Sequence, residues 1–198
     1  MSEGFPADEI KLDIGKPHVI QDVKCVIDHD AMHNYLAQLG RRELFGLSVF
    51  AIKICDIEVL HASLTNENFI TVIKDVATSC TLKMTMCRHL ICYTGGGIFV
   101  LICGDSKKLN VEETLNSIAG NIGELSTYNP DDEPIDLTFM AGKVIKMTSV
   151  FGKNPSRLVQ RATESVKLRE LSRHADRASV PSTVQTLRQN RLTLLAVV

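Results

Sequence analysis

Cys92-Tyr-Thr-Gly-Gly-Gly-Ile-Phe-Val-Leu-Ile102 is the stretch on which the reading of this chain turns. Three consecutive glycines (Gly95, Gly96, Gly97) adopt positive φ without the steric cost a Cβ would impose. Apolar, β-prone residues flank them, Leu82 to Tyr93 before and Ile98 to Cys103 after. A short glycine turn between two such runs predicts a β-hairpin.

Working upstream, Asn66 predicts the cap of a helix to about Thr78, with Phe69, Ile70, Ile73 and Ala77 as its buried stripe and Glu67 in its first turn. Before it, Leu47-Ser-Val-Phe-Ala-Ile-Lys-Ile54 is a dense β-branched and aromatic run, suited to a strand covered on both faces. Met32, Tyr35, Leu36 and Leu39 recur at helical spacing, so a first helix is expected from about Asp28, capped by Asp28 or Asp30. Gly40 should end it, with Arg41-Arg42-Glu43 placing positive charge against its C-terminal dipole.

Downstream, Asn110 opens an amphipathic pattern (Val111, Leu115, Ile118, Ile122, Leu125) weakened by Gly120 and Gly123. Ser126 to Pro134 has the composition of a loop. Ile135 to Met147 alternates as a strand, with Gly142 marking a bulge or a close approach, and a last helix runs from near Pro155 to about Leu171. The order contains β-α-β-β-α-β, so the expected fold class is α/β (α+β): a ferredoxin-like or palm-type core with a mostly antiparallel central sheet and flanking helices. The expected organisation is an N-terminal arm at 1–22 with little structure of its own, one domain at 23–172, and a tail at 173–198 whose end, Arg191-Leu-Thr-Leu-Leu-Ala-Val-Val198, is apolar.

Composition narrows the function classes. The 198 residues are 44% hydrophobic and 23% charged, which fits one folded domain plus arms. Lys plus Arg number 22 against 23 Asp plus Glu, so no positive excess exists to neutralise a phosphate backbone, and nucleic acid is not an expected partner. No apolar run approaches the roughly 20 residues that span a bilayer, and the acidic first residues lack the order of a signal peptide. A cytoplasmic protein is expected. The six cysteines lie in apolar segments and read mainly as reduced, buried hydrophobes. Zinc on Cys87, His89 and Cys92 is the lesser alternative, because in a strand Cys92 would face away from the other two.

The segment at 92–102 resembles the signature hairpin of GGDEF (diguanylate cyclase) domains, in which Gly-Gly-Asp/Glu-Glu-Phe precedes an apolar strand; Gly95-Gly96-Gly97-Ile98-Phe99 stands in that place. The strand Val49 to Ile54 lies where that family has its Asp-Ile-Asp-like strand. Leu137-Thr-Phe-Met-Ala-Gly-Lys-Val144 resembles its late strand, and Leu158-Val-Gln-Arg-Ala-Thr-Glu-Ser-Val166 its last helix. The resemblance spans about Asp28 to Leu171 and lies in order and spacing.

The resemblance also implies what is missing. Condensing two GTP molecules needs carboxylates to hold magnesium against the triphosphates. At the family's metal positions this chain has Lys53 and Cys55 on the strand and Gly97-Ile98 in the turn, so no metal, cofactor or catalytic residue is expected. The family's inhibitory site resembles Arg-x-x-Asp; here Met86-Cys87-Arg88-His89 displaces the arginine and replaces the carboxylate, and Thr163 replaces an Asp of the last helix.

Each residue has a plainer reading beside its functional one. Gly95 to Gly97 read as a turn rather than a phosphate cradle. Asp56 and Glu58 read as a solvated strand end rather than metal ligands, and Arg88 and His89 as edge-strand polar groups rather than a ligand clamp. Three functions follow. The first is a non-catalytic module docking another protein in a cyclic di-GMP-linked bacterial signalling pathway governing motility, polarity or surface behaviour. Its tail residues Leu192, Leu194, Leu195, Val197 and Val198 would pack on their own domain or on the partner, and a homodimer is a separate expectation. The second is a receptor for cyclic di-GMP or GTP using Arg88, His89 and the glycine turn. The last is an enzyme with a shifted metal site on Asp56 and Glu58.

Overall fold

The computed structural model describes residues 13–84, 88–104, 110, 113–114, 116–118, 137–146 and 154–179, the side chains of 176–179 excepted. The tail residues Leu192 to Val198, Cys87, and the expected loop at 126–134 lie outside the described residues.

The elements run α1 (His29–Gln38), α2 (Arg41–Gly46), β1 (Leu47–Ile54), α3 (Ile57–Ser63), α4 (Asn66–Lys83), β2 (His89–Tyr93), β3 (Ile98–Gly104), β4 (Phe139–Ala141), β5 (Ile145–Lys146) and α5 (Ser156–Ser179). The sheet order is β2-β3-β1-β4, with β5 also on β1, and every ladder is antiparallel. This is the ferredoxin-like arrangement expected from the element order.

β1 is central, and all eight of its residues are buried. Its alternation sorts the core into two layers. Phe50, Ile52 and Ile54 join Phe99, Leu101, Ile91 and Tyr93 against the α4 stripe Phe69, Val72, Ile73, Val76, Ala77 and Cys80. On the opposite face, Val49, Ala51, Val100 and Cys92 pack against Met32 and Leu36 of α1 and Leu158, Ala162 and Val166 of α5.

Several boundaries differ from expectation. α4 runs on to Lys83, and β2 begins only at His89, not at Leu82. Cys80 and Met84 continue the buried stripe at helical spacing, and Met84 N–H donates to the Cys80 carbonyl. Ile70, placed in that stripe by the sequence, is 50% exposed. The α4 cap is Thr65, whose Oγ1 accepts from Asn68 N–H at 3.2 Å. The α1 cap is Asp28. Gly40 and Arg41-Arg42-Glu43 do not close α1 but open α2: Glu43 Oε2 accepts from Gly40 N–H at 2.7 Å, and buried Leu44 anchors the turn. α3 was not anticipated. Asp56 takes the left-handed conformation (φ 54°), turning the chain out of β1 so that Ile57 enters the core.

The expected strand from Ile135 to Met147 is split. Three steps along β1, from Val49 to Ile52, face four steps from Ile145 back to Ala141, so one extra residue is accommodated, as in a β-bulge. Gly142 sits there, its N–H donating to Ala51 O at 2.8 Å. A Cβ at Gly142 would lie 3.0 Å from Val166 N and 3.1 Å from Ala162 O of α5, so the close approach is real as well.

Asn110 caps the next segment through its side chain, Glu113, Thr114 and residues 116–118 are helical, and Ile118 is buried. α5 passes Leu171 without a break and ends at Ser179. The end of the arm is not free of the domain: Ile14 and Ile20 pack on the α4-side core, and just after the arm Ile27 N–H donates to Ile91 O while Cys25 O accepts from Ile91 N–H.

Candidate functional site

β1, the glycine turn and α5 converge on an open recess of about 860 Å³, lined by Lys53, Thr94, Gly95, Glu58, Gln160 and Glu170 among others. Lys53 lies on the α5 face of β1 because its parity is that of Val49 and Ala51. It is only 7% exposed, and its Nζ lies 2.5 Å from both carboxylate oxygens of Glu170. A bidentate, nearly buried ion pair therefore stands where β1 meets the hairpin, Lys53 being paired in register with Ile98.

Cys55, on the same face, is buried and its thiol is pushed up by that burial, an effect the Arg173 guanidinium partly opposes. Asp56 Oδ2 sits 3.9 Å from Arg173 Nη2, which ties the start of α3 to α5. Glu58 is exposed at the recess margin, as is Leu171. Among the described residues, no group of three or more His, Cys, Asp or Glu is placed to hold a metal ion.

The turn itself is tightly committed. Gly95, Gly96 and Gly97 all have positive φ (88°, 61° and 72°), the conformation that favours glycine. Gly96 N–H donates to Ile14 O at 2.6 Å, Gly97 N–H to the Tyr93 hydroxyl at 3.3 Å, and Ile98 N–H to Gly95 O at 3.1 Å. Gly97 O in turn accepts from Ile54 N–H at 3.0 Å. The arm lies directly on the bend, since a Cβ at Gly95 would meet Gly15 O at 2.6 Å. Burial raises the Tyr93 hydroxyl above its ordinary range. Phe99 stacks obliquely on Tyr93 beneath the turn.

Arg88 and His89 are elsewhere. They enter β2 at the end away from the turn, His89 opposite Cys103, and line a smaller recess of about 370 Å³ with Tyr35, Glu43 and Leu90. Six residue steps along the chain, about 20 Å if extended, separate His89 from Gly95. One site containing Arg88, His89 and the glycine turn together, as the receptor reading required, is thus not formed. Thr163 does line the large recess.

Sequence reasoning did not find Glu170, Arg173 or Ile14 as members of this region. Lys53 and Glu170 are 117 positions apart, and nothing local couples them. His29 and His33 also face the recess, and their spacing of four on a helix was a readable signal.

No protein-family model matches the sequence, and no curated protein matches it. Solved structures do. The diguanylate cyclase SiaD of Pseudomonas aeruginosa, in complex with its activator SiaC, superposes with a TM-score of 0.59 at 13% identity, over 73% of this chain. This chain spans 55% of that one. The GGDEF domain of DgcB from Caulobacter crescentus, in complex with c-di-GMP, gives 0.58 at 12% identity, covering 82% of this chain and 94% of that one. The FimX GGDEF domain of Pseudomonas aeruginosa gives 0.60 at 10% identity over 74% and 90%. The sheet order, the glycine hairpin and these superpositions lead to one conclusion: the chain has the fold of a GGDEF domain.

Proposed function

We propose that this protein is a non-catalytic GGDEF-like module of a cyclic di-GMP-linked signalling pathway, acting by docking another protein. The observation that carries this reading is the Lys53–Glu170 pair. A lysine ammonium beside the turn repels a divalent cation, and the Glu170 carboxylate that reaches it is consumed in neutralising it. The occupied amides of Gly96, Gly97 and Ile98 support it further, since they are turned to Ile14, Tyr93 and Gly95 rather than offered to a phosphate. Asp56, held toward Arg173, is poorly disposed to rescue a shifted metal site with Glu58. SiaD, which has this fold, is seen with a protein activator, and that association is the precedent for docking. α5 exposes Leu168 (64%) and Leu171 (65%) one turn apart, an apolar step of the kind protein contacts use.

The test is incubation of the full chain with GTP and magnesium or manganese. No cyclic product is expected, and turnover would end the reading. Partner capture should be compared with a chain truncated after Ser179, which keeps every described residue of α5; capture undiminished by the truncation would remove the apolar tail from the interface.

A receptor reading is favoured by one observation: exposed Arg88 stands beside the Tyr35-lined recess with His89. Calorimetric titration with cyclic di-GMP separates the two, because a scaffold gives no heat and a receptor loses its heat in Arg88→Ala.

A further inference from the structure

The first turns of α1 carry His29 and His33, one helical turn apart on one face. Their Nε2 atoms converge to 3.3 Å, with the rings edge to face at a centroid separation of 4.5 Å. Each ring's other nitrogen faces an oxygen: His33 Nδ1 lies 3.2 Å from Ser156 Oγ at the start of α5, and His29 Nδ1 lies 3.8 Å from the Asp30 carboxylate. With the proton of each ring on Nδ1, both Nε2 lone pairs are open to one ion, and Ser156 Oγ is within hydrogen-bond reach to accept from His33 Nδ1–H, the role outer-shell partners play for metal-binding histidines. Two nitrogens each about 2.0–2.1 Å from zinc at the tetrahedral angle are about 3.3–3.4 Å apart.

We propose that His29 and His33 form a bidentate site for a divalent first-row transition ion, zinc by its geometry, at the α1–α5 junction. Both rings line the recess, so the ion keeps its remaining positions for water or an exogenous donor. Two protein ligands make it an exchangeable site rather than a closed structural one. The inference stands apart from the non-catalytic reading, because the site uses neither Lys53 nor the glycine turn.

An imidazole N–H···N hydrogen bond would give the same separation, and metal titration tells the two apart. Titrating the full chain with zinc chloride in a calorimeter, one ion per chain is expected, with binding abolished in the His29→Gln/His33→Gln double variant. Far-UV circular dichroism of that variant should show the fold retained, since His29 is 41% exposed. Long-range ¹H–¹⁵N spectra should show the Nε2 resonances of both histidines shifting together and saturating at one equivalent. Ser156→Ala should weaken binding about tenfold. Cys25→Ser, which removes an exposed thiol, should leave it unchanged. No saturable binding, binding undiminished in the double variant, or binding without movement of the two Nε2 signals would each overturn the proposal.

Discussion

The two faces of β1 are made of the same strand and have different fates. Toward α4, Phe50, Ile52 and Ile54 join one continuous apolar cluster with Phe69, Val72, Ile73, Val76 and Ala77. Toward α5, Val49 and Ala51 start in the same way, but the next two inward positions are Lys53 and Cys55, and the layer ends in an ion pair and an open recess. The difference teaches where fold and function are separable. The α4 face holds the sheet together by burial alone. On the α5 face, stability depends on charges being matched at one end, where the chain has chemistry to spare.

Substitutions can break that contrast or sharpen it. The largest effect is expected on the apolar face: Phe69→Ala, which empties a fully buried ring position, should cost about 3–5 kcal/mol in chemical denaturation. On the other face, Glu170→Ala leaves the Lys53 ammonium nearly buried without its carboxylate. Because the Glu170 side chain keeps 17% exposure, the loss should be about 2–3 kcal/mol, below the range for a fully buried pair. The double variant Lys53→Met/Glu170→Met should recover to within about 1 kcal/mol of the parent. A double variant as unstable as Glu170→Ala would show that the site requires the pair itself.

The turn offers a smaller, graded test. Gly95→Ala meets both a left-handed φ and the Gly15 carbonyl, whereas Gly96→Ala meets only the φ, with open space around its Cβ. The first should cost about 2 kcal/mol and the second about 1. Deleting residues 1–16 should shrink the difference; an unchanged difference would mean the arm does not press on the turn.

The smallest effect concerns pH. His33 has its folded value lowered from 6.5, so between the folded value and 6.5 the unfolded chain binds more protons. Stability should therefore be full above pH 6.5 and decline as pH falls through that window, by a fraction of the other effects because the ring is half-exposed. His33→Gln should flatten the slope, as read by denaturation midpoints at successive pH values.

How much of this was legible beforehand differs by element. The β1 run, the glycine hairpin and the Gly142 approach were all read correctly, and Asp28 was one of two caps named for α1, because each rests on local sterics or side-chain alternation. The α2 and α3 helices and the end of α4 were misread. Short helices carry little periodic signal, and Leu82, Lys83 and Met84 look equally strand-like until Cys80 is known to be buried against the sheet. The site was less legible than the fold. Lys53 and Cys55 stood out by resemblance, but their partners Glu170 and Arg173 lie more than a hundred residues on, on a helix whose rotation no local pattern specifies.

By itself the amino-acid sequence determined which segments are extended, where the backbone must be glycine, and that carboxylates are lacking at the turn, since those follow from side-chain shape and charge at single positions. The tertiary structure alone decided that Lys53 is neutralised by Glu170, that Ile14 caps the glycine turn, and that Ser156 of α5 meets the His29–His33 pair. Each of these is a meeting of residues distant along the chain or oriented by helix packing, and only the closed fold sets the distance between them.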